Sequence, residues 1–453
     1  MGYSQRLAQR QAELGRPIRI GLVGAGQMGR GYVAQTRRMT GMEVVAIADI
    51  AIDRATAAFA SVGIEDVVTH TDTGKLVQAV EDGRFVATAD AEQLLRLPID
   101  IVVEATGVPD IGARIAMEAL LAGRHVGLLN VETDVTVGWL LSSVARSAGL
   151  IYTVCRGDEP VEAKRLVDYA RDLSFEIICA GKGKNNPLDV HATPDQLRAE
   201  AIGKRMNPKM LTSFVDGSKA MIEMVALANA AGLQVSKRGM HGPPTTIEEL
   251  AKTFSLISDG GILDRGGVVD YATGPVAPGV FAVARTDEPT VLEELEYLKF
   301  GSGPYYAFYR PYHLASIEAP LSVAAAMLDH QVDLAPAGWT AEVVATAKRS
   351  LRAGEDLDNI GGTTVYGLAE NAAVARAENL LPLGLVANAK VVRDVAVDTP
   401  LTYDDVELDA DSVIVSMRTV QDRLAPTFDD REFAPLRAVA ATTFHTRPRS
   451  ATG

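Results

Sequence analysis

The chain is nearly devoid of cysteine: Cys155 and Cys179 are the only two in 453 residues. A disulfide framework is therefore excluded. Because both lie inside strand-like runs, they read as buried thiols in a reducing compartment. No apolar run approaches the roughly 20 residues of a membrane span. Residues 1–15 are polar, amphipathic and helix-compatible, with no apolar signal-peptide core; they read as a leading helix at a subunit contact. Positive charge is also in short supply. The 44 Lys and Arg against 58 Asp and Glu give a net charge of −14, which argues against nucleic-acid and basic membrane-surface binding. A small anionic substrate needs only a local cluster of basic residues and stays open. With 47% hydrophobic and 23% charged residues, the composition is that of a soluble globular protein, and a cytoplasmic one fits. The length calls for two or three domains.

What is present starts with glycine. The apolar run from Ile18 to Val23 ends in Gly24-Ala-Gly26-Gln27-Met28-Gly29, and a helix-compatible segment follows. In a doubly wound α/β sheet the first Gly turns the chain out of the strand. The second admits the pyrophosphate of a dinucleotide, and the third lets the helix pack against the sheet. A second apolar run over 44–48 ends in Asp49, twenty residues beyond Gly29, where an acid grips the adenosine ribose. Expected helices at 54–62, 76–81, 112–122 and 138–148 alternate with strands at 85–88, 99–104, 125–129 and 151–155. That alternation predicts a parallel Rossmann sheet over residues 1–155.

Residues 156–336 read as an α+β domain. It holds a helix at 161–173, a strand at 175–180, a basic Gly/Asn turn at 180–187 and a long helix at 218–231. A Gly/Pro-rich stretch at 259–279, a strand at 280–284 and a helix at 320–328 complete it. Residues 337–453 carry a faint internal repeat. Val344-Ala-Thr-Ala-Lys348 leads into 351–358, and Val386-Ala-Asn-Ala-Lys390 leads into 395–405, with a helix expected at 366–379. Two copies suit a small pseudo-symmetric β-domain rather than a solenoid. Residues past 441 read as disordered.

Ligands of open α/β sheets bind beyond the carboxyl ends of the strands, and four segments should converge there. Glu104-Ala-Thr106-Gly107 is either a plain turn or the wall beside a nicotinamide. In Asn130-Val-Glu132-Thr-Asp134 the acids either cap the next helix or sit on the working rim. Asp158 and Glu159 either cap the helix that follows or hold a divalent metal or a proton. Lys182, Lys184 and Asn185, on a glycine-rich turn, form either a solvated turn or a donor cluster for a phosphate, a carboxylate or an oxyanion. Lys209 precedes the helix bearing Lys219 and Glu223, four residues apart, which form a surface pair or belong to the site. The run Tyr305 to His313 has four tyrosines in eight residues. It is core or interface, or else Arg310 and His313 clamp a substrate phosphate. His241 is a further candidate for the same pocket.

Together these residues resemble the homoserine dehydrogenase-like branch of Rossmann oxidoreductases. The resemblance runs through the glycine fingerprint, Val103-Glu-Ala-Thr-Gly107, Asn130-Val-Glu132, Gly157-Asp-Glu-Pro160 and Ala180-Gly-Lys-Gly183. The C-terminal repeat resembles the SAF module, a small β-clip domain. True homoserine dehydrogenases place a lysine where Glu132 stands, and hand alignment puts Glu223 at their second lysine and Lys219 at their acid. The three-part layout is instead similar to 1-deoxy-D-xylulose 5-phosphate reductoisomerase-like enzymes of isoprenoid biosynthesis. That resemblance implies a homodimer that rearranges a phosphorylated ketose and reduces it with NADPH, usually with Mg2+ or Mn2+. It gives Lys182, Lys184, Lys209 and Arg310 to the phosphate, and Asp158 and Glu159 to metal or proton work. Asp49 alone predicts NAD, because a carboxylate repels a 2′-phosphate, whereas the resemblance favours NADP, with Arg54 or Arg30 holding that phosphate. A dehydrogenase of another polyol, sugar acid or hydroxy acid is the alternative, and a non-catalytic dinucleotide or carbohydrate sensor the second.

Overall fold

The computed structural model describes residues 1–424. Seven short apolar runs form a parallel sheet: β1 (Ile18–Val23), β2 (Met42–Ala48), β3 (Val67–Val68), β4 (Phe85–Thr88), β5 (Ile101–Glu104), β6 (His125–Leu128) and β7 (Tyr152–Val154). Their order is β3-β4-β2-β1-β5-β6-β7. These strands are apolar almost throughout because helices cover both faces of a parallel sheet. The helices are α1 (Tyr3–Leu14), α2 (Gln27–Thr36), α3 (Ile52–Ala60), α4 (Thr73–Glu81), α5 (Ala91–Leu95), α6 (Pro109–Leu121) and α7 (Val131–Ser147). Strand order reverses at β1, so the connections after β1 and β5 diverge and open the crevice where dinucleotides bind. This is the expected doubly wound fold.

The second sheet has the order β12-β11-β8-β10-β9. Its strands are β8 (Glu176–Lys184), β9 (Gln234–Val235), β10 (Val268–Thr273), β11 (Val280–Arg285) and β12 (Tyr305–Arg310). Strand β8 is parallel to β10 and antiparallel to β11. Helices α8 (Glu159–Asp172) and α11 (Ser218–Ala231) pack on it. The shorter α9 (Arg198–Gly203), α10 (Pro208–Val215), α12 (Leu250–Thr253) and α13 (Pro289–Tyr297) fill the connections. The last helix of the region, α14 (Ala315–Asp329), returns to pack on α2 of the first sheet and on α1. The leading helix α1 is thus held within its own chain, where Arg6 pairs with Asp329.

Three expectations need correction. The basic Gly/Asn turn is not a turn: β8 runs on through Lys184. The Gly/Pro-rich stretch contains β10. The helix expected at 366–379 is strand β14 (Val365–Asn371) followed by α15 (Ala372–Ala377), because full antiparallel pairing with β13 (Ala341–Ala347) outweighs the helix propensity of its Ala, Leu and Glu. The second repeat copy also differs. Its strand is reduced to β15 (Lys390–Val391), paired with β16 (Val406–Glu407). The copies nevertheless pair reciprocally, with Leu351 and Val395 exchanging N–H···O bonds of 2.8 and 2.9 Å. Cys155 and Cys179 are buried free thiols, as expected. The expectation for residues past 441 lies outside the described residues. No helix among those described is long and apolar enough to cross a membrane.

Helix α16 (Val413–Leu424) ties the C-terminal region to α6 and α7. Its Arg418 is buried. It donates to Glu342 at 2.6 Å, Asp422 at 2.8 Å and the Thr136 carbonyl at 3.2 Å, and stacks on Trp339. Replacing Arg418 with Ala strands the buried Glu342 carboxylate, and breaking a buried pair in this way costs about 3–5 kcal/mol. Urea denaturation should record a loss of that order; a loss below about 1 kcal/mol counts against this anchoring.

Candidate active site

Successive side chains of a strand leave opposite faces, so in Ala180-Gly-Lys-Gly-Lys184 both lysines share one face. The other face admits only glycine: a Cβ on Gly181 would overlap the Asp270 carbonyl, and one on Gly183 the backbone of Ala277. The lysine face looks onto α8 and α11. Lys182 Nζ donates to Glu159 Oε1 at 2.7 Å, from the first turn of α8, and to Glu223 Oε2, from α11. Lys219, one turn before Glu223, donates to Glu132 Oε1 at 2.9 Å at the start of α7 and lies 3.9 Å from Glu223 Oε1. His313 sets Nε2 3.2 Å from Glu159 Oε1 and Nδ1 3.0 Å from the Gly157 carbonyl. Asp158 Oδ1 accepts the Glu159 N–H at 3.0 Å, capping α8. One of its oxygens, one of Glu159 and one of Glu223 lie within 4.8 Å of one another. Two sheets and three helices thus bring one chain of alternating charges together.

Burial works against every charge in this chain, and the partners decide each outcome. Burial would discharge Lys182, but Glu159 and Glu223 outweigh it and hold the ammonium above the ordinary lysine range. Lys219 is held high against burial by Glu132, Asp158 and Glu223. Glu159 resists burial through Lys182 and His313 and stays below the usual carboxylate range. Asp158 does not: burial, and the like charges of Glu159 and Glu223, push it well up despite Lys219. Lys184 stands apart. Burial and the Lys182 charge bring it down to about 8, with Asp216 opposing. It is the group of the lysine face that exchanges a proton near neutrality; its Nζ rests on the Asn186 carbonyl at 2.6 Å.

The dinucleotide end is built from Gly24, Gly26 and Gly29. Gly24 has φ +99°, and a Cβ there would collide with Ala105; a Cβ on Gly29 would overlap the Gly24 carbonyl oxygen. Gly26 faces open space and caps α2 with no side-chain bond to the helix amides. An open cradle over unpaired N–H groups, those of Gln27 and Met28, is what a pyrophosphate requires. The Asp49 oxygens accept from Ala25 N at 2.8 Å and Ala51 N at 2.9 Å. Arg30 and Arg54 are exposed. After β5, the fully buried Glu104 accepts from both the N–H and the hydroxyl of Thr106, shaping the turn into Gly107. Burial pushes the carboxyl up to about 7, against the hydrogen bonds of Thr106 and Asn130 that favour its charged form.

Other expected residues fall elsewhere. Asn130 is fully buried and committed, accepting from Thr133 N and donating to the Val108 carbonyl at 3.1 Å. Its bond to Val108 braces the end of the loop that carries Thr106 and Gly107. Arg310 is held by Glu162 and Glu318, so its guanidinium is not free to clamp a phosphate. Lys209 and Asn185 are exposed and outside the charge chain. His241 pairs with the buried Asp270 at 2.7 Å, away from the lysine face. Glu223, left open as a surface partner of Lys219, is central. Its signal was there to read: α11 is apolar around its whole circumference, and a charge on such a helix is buried by necessity.

Residues 157–319 match the protein family described as "Oxidoreductase DRL, catalytic domain". The match starts at Gly157 and takes in Asp158, Glu159, Lys182, Lys184, Lys219, Glu223 and His313. No curated protein matches the chain. Among solved structures, it is similar to the scyllo-inositol dehydrogenase of Lactobacillus casei with bound NAD(H) and scyllo-inositol, at 13% identity and TM-score 0.41 over 70% of this chain and 91% of that one. It is also similar to the UDP-N-acetylglucosamine 3-dehydrogenase of Acidithiobacillus ferrooxidans, at 14% identity and TM-score 0.38 over 70% and 91%. Likenesses this distant bear on neither substrate nor mechanism. With an oxidoreductase catalytic segment joined to a Rossmann sheet, the chain is an NAD(P)-dependent oxidoreductase.

Two outcomes follow from the cofactor end. Gly26→Ala should keep the native melting temperature yet weaken NAD(P)H binding at least tenfold in a fluorescence titration, whereas Gly29→Ala should lose about 1–3 kcal/mol of stability from overpacking. Equal effects of the two would contradict the separation of roles. Glu104 binds a proton more tightly folded than unfolded, so its ionisation costs stability that grows as pH rises from 4.5 to about 7. Glu104→Gln should be relatively more stable above pH 7, by up to about 3 kcal/mol, and that gain should vanish below pH 4.5; a pH-independent difference excludes the buried acid as its source.

Proposed function

We propose that this enzyme interconverts a hydroxyl and a carbonyl on a small polyhydroxylated substrate (a polyol, sugar acid or hydroxy acid) with NADP(H). The observation that carries the reading is the pairing of Lys182, locked as an ammonium between Glu159 and Glu223, with Lys184, which titrates at about 8 on the same strand face. When bound, the dinucleotide supplies or accepts the hydride at its nicotinamide. The chain's own groups do the remainder. In the reductive direction Lys182 steadies the negative charge that develops on the substrate oxygen, and Lys184 gives that oxygen a proton, leaving a neutral amine that solvent reprotonates. The Thr106–Gly107 turn walls the nicotinamide side. Glu132, where homoserine dehydrogenases carry a lysine, is answered by Lys219 from α11. That charge-exchanged pair supports descent from that branch.

For the cofactor, NADP is favoured because both Asp49 oxygens are taken up by backbone N–H groups, leaving exposed Arg30 and Arg54 for a 2′-phosphate. A second reading, reductoisomerase chemistry on 1-deoxy-D-xylulose 5-phosphate, is favoured by one observation. Asp158, Glu159 and Glu223 each bring an oxygen within 4.8 Å of the others, a set suited to a divalent cation. Asp158, Glu159 and Glu223 would hold Mg2+ or Mn2+, which polarises adjacent substrate oxygens. With Arg310 engaged, a substrate phosphate falls to Lys184, Asn185 and Lys209. The C-terminal region is read as an SAF-like β-clip, supported by the reciprocal Leu351–Val395 pairing, and the whole as a homodimer.

Steady-state NADPH and NADH oxidation with deoxyxylulose phosphate, ketoses, keto acids and sugar acids, with and without Mg2+, tests both readings. Turnover is expected, with loss of about a hundredfold or more in Lys182→Ala and Glu159→Gln while NADPH still binds. Full activity in both variants removes the assignment, and binding of cofactor with no turnover on any substrate favours a sensor.

A further inference from the structure

One of the contacts by which the C-terminal region reaches the wall of this site is a buried lysine. Lys348, next after β13, extends an ammonium that is 1% exposed to three acceptors from three segments. They are Asp216 Oδ2 at 2.8 Å, the Ala192 carbonyl at 2.9 Å and the Gly362 carbonyl at 2.9 Å. Each acceptor belongs to something the site depends on. Asp216 closes α10, and its Oδ1 accepts the Ser218 N–H at 2.9 Å, fixing the first turn of α11, the helix of Lys219 and Glu223. Ala192 lies on the segment that leaves β8 just after Lys184. That segment is fastened again where Asp189 N donates to the Val215 carbonyl at 3.0 Å, and where His191 Nδ1 meets the Lys348 carbonyl at 2.7 Å. Gly362 lies on the loop whose Gly361 packs against the Lys209 backbone so closely that a Cβ would overlap it.

A second, independent tie runs beside the first. The Gly367 N–H in β14 donates to Ser218 Oγ at 2.9 Å, so both Asp216 at the end of α10 and the first residue of α11 are held by the C-terminal region. Among the described residues the region adds no side chain to the ion pairs of the charge chain; besides these two contacts it holds α11 through Asn229, which bonds to Thr340 and Ala341, and α7 through Arg418.

We propose that Lys348 is a positioning residue: by neutralising and holding Asp216, it sets the start of α11 and the segment after Lys184, so that the C-terminal region completes a site built by the other two. This rests on the reading of Lys182 and Lys184 as the working pair. Two charged groups act on Lys184, Lys182 from its own strand and Asp216 from the end of α10. Asp216 opposes the other influences on Lys184, so removing its charge should lower the titration midpoint of Lys184.

The test uses the full chain with Lys348→Met combined with Asp216→Asn, which removes the buried ion pair without stranding a charge. The native protein and Lys348→Arg are the comparisons. Lys184 is followed by NMR of protein labelled at lysine side chains, its resonance assigned with Lys184→Arg. We expect a folded protein with unchanged NADPH affinity, a Lys184 midpoint lowered by about a unit, and kcat reduced 10- to 100-fold at unchanged cofactor KM. Lys348→Arg should restore most of both. A folded double variant with an unmoved midpoint and native kcat overturns the proposal. Should the double variant not fold, Asp216→Asn alone, which can keep the Ser218 bond and both carbonyl partners of Lys348, should still lower the Lys184 midpoint; an unmoved midpoint there overturns the proposal. The midpoint is read without turnover. A native protein inactive on every substrate therefore fails the functional reading while leaving this one decided separately.

Discussion

An ammonium group buried beneath two helices must be met by opposite charge, and that requirement organises this protein around Lys182. The side chain leaves the middle of the second sheet toward the faces of α8 and α11 and is 8% exposed. Desolvation of an ion is worth several kcal/mol even after relaxation, so Glu159 and Glu223 are conditions of its presence there. Burying Glu223 creates the same demand one turn earlier, which Lys219 meets, and Lys219 in turn requires Glu132 from the first domain. Each charge is stable only because the next one is in place. The chain of demands crosses from one sheet to the other, and it aligns the dinucleotide crevice with the lysine strand.

The same logic explains why the glycines of β8 matter as much as its lysines. The crowded face of the strand, against Asp270 and Ala277, tolerates no side chain, and the strand can therefore pack tightly while its opposite face carries two long cations. A site of this kind separates its tasks by environment. Lys182, matched by two carboxylates, keeps its proton. Lys184, matched only by Asp216 at a distance and by backbone carbonyls, is brought to about 8. Two identical side chains two residues apart thus meet different environments, and the proposed division of roles rests on that difference.

Among the described residues the C-terminal region has no group in the charge chain, yet its buried contacts converge on the elements that do. Arg418 grips α7 behind Glu132, Lys348 holds Asp216 just before α11, and Gly367 bonds Ser218. The described part of the C-terminal region is thus fastened to α7 and α11, the helices that carry Glu132, Lys219 and Glu223. The return of α14 onto α2 does the corresponding service between the first two regions. The three regions read along the sequence are consequently not three independent bodies.

Much of this was legible in the residues taken in order. The glycine fingerprint, Asp49, and the alternation of apolar runs with helical segments specify the first sheet, because strand period, turn chemistry and phosphate recognition are local properties. The bounds of α11 follow from its composition for the same reason. Local reading failed where partners came from far away. The lysines seemed to sit on a turn because glycine breaks strands in isolation, and β14 seemed helical because its pairing with β13 is invisible without the fold. Arg310 seemed available because Glu162 and Glu318 are distant or unremarkable in sequence. By itself, then, the sequence determined the dinucleotide fold and the residue types the site would need. Only the tertiary structure decided which charges are paired, since pairing depends on burial and distance, and neither exists until the sheets and helices have packed.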